Sequence, residues 1–206
     1  KVHVHTDGPE RAAGIAAEWG VVEGMKADDM RRQEAERAAR LAAVVAPGGL
    51  VAVVAAAGVR DLLAGLGAAA VAPGELRREA SVVLALDAPP DAGGAEVVVA
   101  PSLPAMLAAA TAWDPEADPA DAAGRMREAA GEVTAIDVPR ADRESLAEAI
   151  APAVAGAGLV TALVGEGAGV SPAEVEAWLR ALVPDGVEVE AHFGGQAAPA
   201  LAVGVE

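Results

Sequence analysis

The sequence contains no cysteine, no tyrosine and a single phenylalanine among its 206 residues. Without cysteine, these residues can form no disulfide and supply no thiolate ligand or nucleophile. Basic residues are also scarce, because 15 lysines and arginines stand against 31 aspartates and glutamates, a formal net charge of -16. A surface of one sign repels phosphate backbones and anionic lipid, so we expect neither nucleic acid nor a membrane surface as a partner.

Long apolar runs are missing as well, since glycine, proline or a charge interrupts every stretch that could span a bilayer. We therefore expect no membrane span and a cytoplasmic location. Small residues are plentiful instead, so the core should consist mainly of valine, leucine and alanine. A chain of this length suits one large domain or two small ones.

Two of the three histidines lie at the start of the chain, where Val2 and Val4 alternate with His3 and His5. This alternation predicts a strand whose opposite face carries both imidazoles, roughly 6.5–7 Å apart. Two neutral imidazoles at that separation can bind one metal ion or one small anion, although a metal site needs a third ligand. The alternative is two solvated polar residues on an open strand face.

The rest of the chain predicts an α/β domain that begins near residue 46. Gly49–Ala55 is a continuous apolar run, which is typical of a strand buried on both faces. Val59–Leu66 has the apolar period of a helix, and Ala68–Val71 can form the next strand. Strand, helix and strand in this order imply parallel pairing through a right-handed crossover, as in a Rossmann-like half-domain.

Further elements follow at regular intervals. Strands are predicted over Ser81–Leu86, Glu96–Ala100, Leu159–Gly165, Val187–Phe193 and Val203–Glu206, and helices over Pro119–Ala130, over Arg143–Val154, and after caps at Ser102 and Ser171. The Ser171 cap with Glu174 predicts a capping box. The turn Ala55–Val59 has neither a second glycine at the dinucleotide spacing nor a Gly-Lys-Ser/Thr pattern, so we predict no nucleotide site in these residues.

Several segments resemble the bacterial fatty acid kinase catalytic subunit, a family with a dihydroxyacetone-kinase-type nucleotide-binding domain at its N-terminus. Val2–Thr6 and Asp29–Gln33 are similar to the V-K-V-H-V-H-T strand and N-M-R-x-Q exit of its middle domain. Val97–Asp118, Gly131–Thr134 and Val187–Gln196 are similar to three segments of its C-terminal domain, including a G-E-V-T strand start and V-E-V-E-x-H-x-G-G-Q. The family's Q-T-M-N-P-S turn is absent after Val71.

The resemblance implies that residues 1–33 are the tail of the middle domain, a short βαβ segment, that residues 34–45 are a linker, and that residues 46–206 are a C-terminal domain with a DegV-like fold. That fold pairs a Rossmann-like parallel sheet with a smaller mixed-sheet unit. The family's zinc ligands match His3 and His5, and their partner cysteine lies upstream, so the zinc site is incomplete in this sequence. ATP and magnesium are expected in an N-terminal domain outside it, and a homodimer contact in the middle domain.

The resemblance also implies a function, which is docking of a DegV-like fatty-acid-binding protein by a portion that is inactive alone. His192 stands beside Gly194, Gly195 and Gln196, where two glycines let the backbone approach a partner closely. We predict partner contacts at these four residues; the alternative is a His192 ring bonded to a nearby backbone carbonyl. Two other functions stay open: a small-ligand or lipid-binding module, and part of a glycerone kinase-like enzyme.

Overall fold

The computed structural model describes residues 49–76, 80–89 and 92–206. The predicted βαβ segment with His3 and His5, the linker over residues 34–45 and the domain boundary near residue 46 therefore lie outside the described residues. All described residues belong to one compact unit of the chain, and they form five helices and eight strands.

The first sheet is parallel and has the order β2-β1-β3-β4. Its strands are β1 (Leu50–Val53), β2 (Ala69–Val71), β3 (Val82–Ala85) and β4 (Glu96–Val99), and helix α1 (Ala57–Gly65) joins β1 to β2. The two central strands β1 and β3 are mostly buried on both faces, which accounts for their unbroken apolar sequences. The predicted strand, helix and parallel strand are confirmed.

The second sheet is mixed and has the order β5-β8-β6-β7. Its strands are β5 (Thr134–Val138), β6 (Leu159–Val164), β7 (Glu188–Phe193) and β8 (Leu201–Val205). Strands β6 and β7 are parallel, whereas β8 is antiparallel to both of its neighbours. The chain is thus an α/β protein with a parallel four-stranded sheet followed by a mixed one.

Four more helices follow α1, and the sequence signals of capping explain most of their starts. They are α2 (Leu103–Thr111), α3 (Pro119–Glu132), α4 (Arg143–Ile150) and α5 (Pro172–Leu182). The backbone N–H of Ala105 donates to the Ser102 hydroxyl at 3.2 Å. At α5 the predicted capping box is confirmed, since the Ser171 N–H donates to the Glu174 carboxylate at 2.9 Å and the Glu174 N–H to the Ser171 hydroxyl.

Two predicted boundaries differ from the structure by three residues or more. The resemblance placed a strand start at Gly131–Thr134, but α3 continues through Glu132 and the strand begins at Thr134. The alanine-rich, amphipathic sequence of α3 favours helix up to the β-branched Val133, which takes an extended conformation. Helix α4 stops at Ile150 rather than Val154, because Pro152 has no N–H to donate to the carbonyl of Glu148.

Helix α2 packs between the two sheets. Its Met106 belongs to the same buried cluster as Leu84 of the first sheet and Leu163 of the second. Close approach to the second sheet depends on Gly204 in β8, where an added Cβ would lie 2.6 Å from the Cβ of Pro104. The opposite face of the second sheet packs beneath α4 and α5, so both of its faces are covered near the centre.

Two of the helix-capping carboxylates predict a dependence of stability on pH. The Ser145 N–H and hydroxyl hold the pKa of Asp142 below its usual 3.8, and the corresponding groups of Ser171 hold the pKa of Glu174 below its usual 4.5. Because the folded-state pKa is depressed, this stabilisation is present above the unfolded pKa and is lost as the pH falls through the folded one.

We therefore expect the urea midpoint of the natural chain to fall below about pH 4 more steeply than that of an Asp142→Asn/Glu174→Gln variant. The midpoint is measured from pH 7 to pH 2.5, with exposed Glu148→Gln on α4 as the control. If the urea midpoints of the natural chain and the double variant fell equally steeply with decreasing pH, Asp142 and Glu174 would not be the source of this pH dependence.

Candidate docking site

The carboxyl edge of a parallel sheet is where α/β proteins usually bind ligands, at the point where the strand order reverses. In the first sheet that point lies between β1 and β3, because β2 and β4 extend from them in opposite directions. The chain leaves β1 through residues 54–56 and enters α1 there. The loop of residues 194–200, which connects β7 to β8 across the end of β6, contacts the first turn of α1.

This contact is made backbone to backbone. The Val59 N–H donates to the carbonyl oxygen of Gly194 at 3.0 Å. An added Cβ on Gly58 would overlap the carbonyl oxygen of Phe193 and lie 2.9 Å from the carbonyl carbon of Gly194. On the other side, a Cβ on Gly195 would lie 3.1 Å from the Gly58 nitrogen. We call Gly58, Gly194 and Gly195 the glycine interlock, since no larger residue fits at Gly58 without displacing the loop.

Gln196 holds the same loop onto the end of β6. Its side chain is only 5% exposed, and its Nε2 donates to the carbonyl oxygens of Leu163 at 2.9 Å and Pro199 at 3.4 Å. Its own carbonyl oxygen accepts from the Glu166 N–H at 2.8 Å. Its Oε1 lies against Gly194, and it has no hydrogen-bond partner within the part of the chain that the structure describes. Gln196 therefore has a role inside the fold.

A cation at this edge, Arg60, is also engaged by the backbone. The Arg60 guanidinium, on the first turn of α1, donates to the carbonyl oxygens of Val54 at 3.0 Å and Ala55 at 2.5 Å. These carbonyls end β1, so Arg60 closes the edge of the strand rather than extending into a binding cleft. With the loop seated on α1, the Val59 N–H, one of the first-turn donors that a phosphate site would use, is engaged by the Gly194 carbonyl.

His192 lies on β7, where its Nε2 is 3.2 Å from Oε2 of Glu190. The ring therefore meets a carboxylate and not the backbone carbonyl considered from the sequence. Next to it, Phe193 is 51% exposed. Of the four predicted docking residues, His192 and Gly195 reach the surface, whereas Gly194 and Gln196 are buried. Contact with a partner at all four stays a prediction.

Sequence reasoning missed two residues at this site. The sequence indicates for Gly58 only a place in the turn Ala55–Val59, because nothing local indicates its contact with a loop far along the chain. Phe193 could have been found from its isolation, since it is the one phenylalanine and ends a strand whose alternate residues are charged.

A depression lies at the opposite, amino-terminal edge of the first sheet. This shallow cleft of about 390 Å³ is lined by Ala80, Ser81, Gly94, Ala95, Glu96, Asp118, Pro119 and Ala120. Both of its carboxylates are engaged, since Glu96 accepts from Arg127 at 3.3 Å and Asp118 caps the first turn of α3. Among the described residues that line it, no convergent set of free polar groups remains, and a binding site is recognised by such a set.

Two further sequence predictions concern metal binding and membrane insertion. Across residues 49–76, 80–89 and 92–206, no three histidine, aspartate or glutamate side chains are grouped so that they could hold a metal ion. The predicted ligands His3 and His5 lie outside these ranges. Over the same ranges, no helix combines the length and apolar character needed to span a bilayer.

Comparison with protein-family models and with curated proteins finds no match to the chain. The resemblance to the fatty acid kinase subunit therefore stays a hypothesis carried by its motifs.

The glycine interlock predicts opposite effects for two alanine substitutions in one helix. Helix propensity alone favours alanine over glycine by up to about 1 kcal/mol. Gly65→Ala, at a position with nothing within 4 Å of the added Cβ, should leave the free energy of unfolding unchanged or raise it. Gly58→Ala should lower it by about 1–3 kcal/mol, because the methyl group displaces the 194–196 loop. Equal effects in urea denaturation would contradict the interlock.

Proposed function

We propose that this chain is a non-catalytic docking portion of a bacterial fatty acid kinase subunit. In this proposal it binds a DegV-like fatty-acid-binding protein, while the acyl carboxylate is phosphorylated from ATP and magnesium on a separate nucleotide-binding domain. A DegV-like fold for residues 46–206, zinc at His3 and His5 and a homodimer through the middle domain belong to the same proposal. The motifs at both ends of the chain and the pair of sheets, one parallel and one mixed, support it.

The glycine interlock is the observation that carries the proposal. It fills the edge at which a sheet of this topology would bind a nucleotide or small substrate, and it leaves Phe193 and His192 at the surface beside it. Among the residues that the structure describes, the side chains near this edge include no nucleophile paired with a base, so the edge suits contact with a partner better than catalysis.

The alternative of a lipid-binding module is less well supported. An acyl chain needs a long cavity with a bulky apolar lining, and the space between the sheets is instead filled by α2 and its valine, leucine and alanine neighbours. A glycerone kinase-like parent would differ in the substrate of the separate domain, and no contact among the described residues favours it.

Binding of a DegV-like fatty-acid-binding protein from the same organism, measured by isothermal titration calorimetry, tests this function. We expect Phe193→Ala to weaken binding roughly tenfold or more, because an exposed aromatic at the centre of an interface contributes about 1–2 kcal/mol or more. Val99→Ala is the matched control, since Val99 is 47% exposed but lies on the outer strand of the first sheet.

The proposal would be overturned by an absence of binding to the natural chain. Tight binding of ATP by the isolated chain would also contradict it, because the proposed nucleotide site lies on another domain.

A further inference from the structure

Strand β7 is one of the two outer strands of the second sheet, and it pairs only with β6 in the described chain. The Glu188 N–H donates to the Gly158 carbonyl at 2.9 Å, and the Gly194 N–H to the Val164 carbonyl at 2.8 Å. In a parallel pair, every second residue directs both backbone groups to its neighbour, so Val189 and Ala191 direct theirs away from the sheet. These outward N–H and C=O groups form an open edge that can pair with another strand.

The side chains that flank this edge are acidic. Glu188 and Glu190 are exposed on one side of β7, and the burial of Glu206 together with the nearby carboxylates of Glu132 and Glu190 raises the pKa of Glu206. Within the described ranges, every arginine that forms an ion pair does so with a carboxylate outside β7. The ion-pair partner of Glu190 in these ranges is His192. The edge therefore carries negative charge that a partner can neutralise.

We propose that β7 docks an extended, lysine- or arginine-bearing segment of the partner protein, which adds to the second sheet as a new outer strand. The partner's backbone pairs with Val189 and Ala191, its basic side chains meet Glu188 and Glu190, and an apolar residue covers Phe193. The proposal rests on the proposed function, and it adds the surface and the chemistry that the partner must present.

Charge decides between a partner protein and a second copy of this chain. Pairing of two identical β7 edges would bring the glutamates of both copies beside one another, and like charges across neighbouring strands are destabilising. A basic segment instead gains from the same carboxylates, in a contact that should weaken as the salt concentration rises.

The other edge of the same sheet supplies a matched control. The Leu159 N–H donates to the Glu206 carbonyl at 3.1 Å, and the Glu206 N–H donates to the Leu159 carbonyl at 3.0 Å. Because backbone groups alternate in direction along an antiparallel strand, every second residue of β8 counted from Glu206 directs its groups to β6, and the residues between direct theirs to β5. By that alternation and the register of β5 with β8, Ala135 directs its N–H away from the sheet on the outer side of β5, just as Ala191 does on β7. Proline at either position removes an outward N–H and leaves the pairing within the sheet in place.

We therefore compare Ala191→Pro and Ala135→Pro in calorimetric titrations with the DegV-like fatty-acid-binding protein. Ala191→Pro should weaken binding roughly tenfold or more, and Ala135→Pro should change it less than about twofold. Glu190→Lys should also weaken binding and flatten its salt dependence, whereas Glu148→Lys on α4 should do neither. Circular dichroism checks that each variant is folded.

Hydrogen exchange in the natural chain tests the pairing of the β7 edge independently, without any substitution. The amides of Val189 and Ala191 should exchange quickly in the free chain and slowly in the complex. Binding of the partner with unchanged exchange at these amides, or with unchanged affinity in a folded Ala191→Pro variant, would overturn this inference and leave the docking function standing. Absence of any binding would instead overturn the docking function, and slow exchange in a self-associated chain would assign the edge to a second copy.

Discussion

The close approach of the 194–196 loop to the first turn of α1 is the constraint on which the rest of the structure depends. Val59 is one of the first residues of its helix, whose N–H groups have no partner within the helix, and here the carbonyl of Gly194 accepts from it at 3.0 Å. This hydrogen bond forms only because Gly58 lacks a Cβ. Besides the packing of α2, this contact also joins the parallel sheet to the mixed sheet, and it closes the edge where a ligand would otherwise enter.

In our proposal the docking surface is β7, an outer strand of the second sheet, because the edge of the first sheet is closed. Most described arginines are held by neighbouring acids, so much of the acidic excess remains at the surface. Around β7 this excess adjoins backbone groups that pair with no strand in the described part of the chain, and the half-exposed ring of Phe193. A surface that combines backbone pairing, charge and one aromatic residue is suited to recognising a protein segment.

Features set by neighbours in sequence were predictable, and features set by distant contacts were not. The apolar runs of β1 and β3, the capping box at Ser171 and the alternation of β7 each depend on a few adjacent residues. The crossing of the β7–β8 loop over β6 depends instead on Gly58, Gly165 and Gln196, which are far apart in the chain. Likewise, Gln196 has the polarity of a surface residue, and only the Leu163 and Pro199 carbonyls explain its burial.

Hydrogen exchange at the Val59 amide tests the interlock most directly. An amide in the first turn of a helix ordinarily exchanges fast, as exposed Ala57 should. If the loop is seated as described, the Val59 amide should exchange only through global unfolding, with a free energy close to that from urea denaturation. Exchange at Val59 as fast as at Ala57 would mean that the loop leaves α1 readily, and the closed edge would then be open to a ligand.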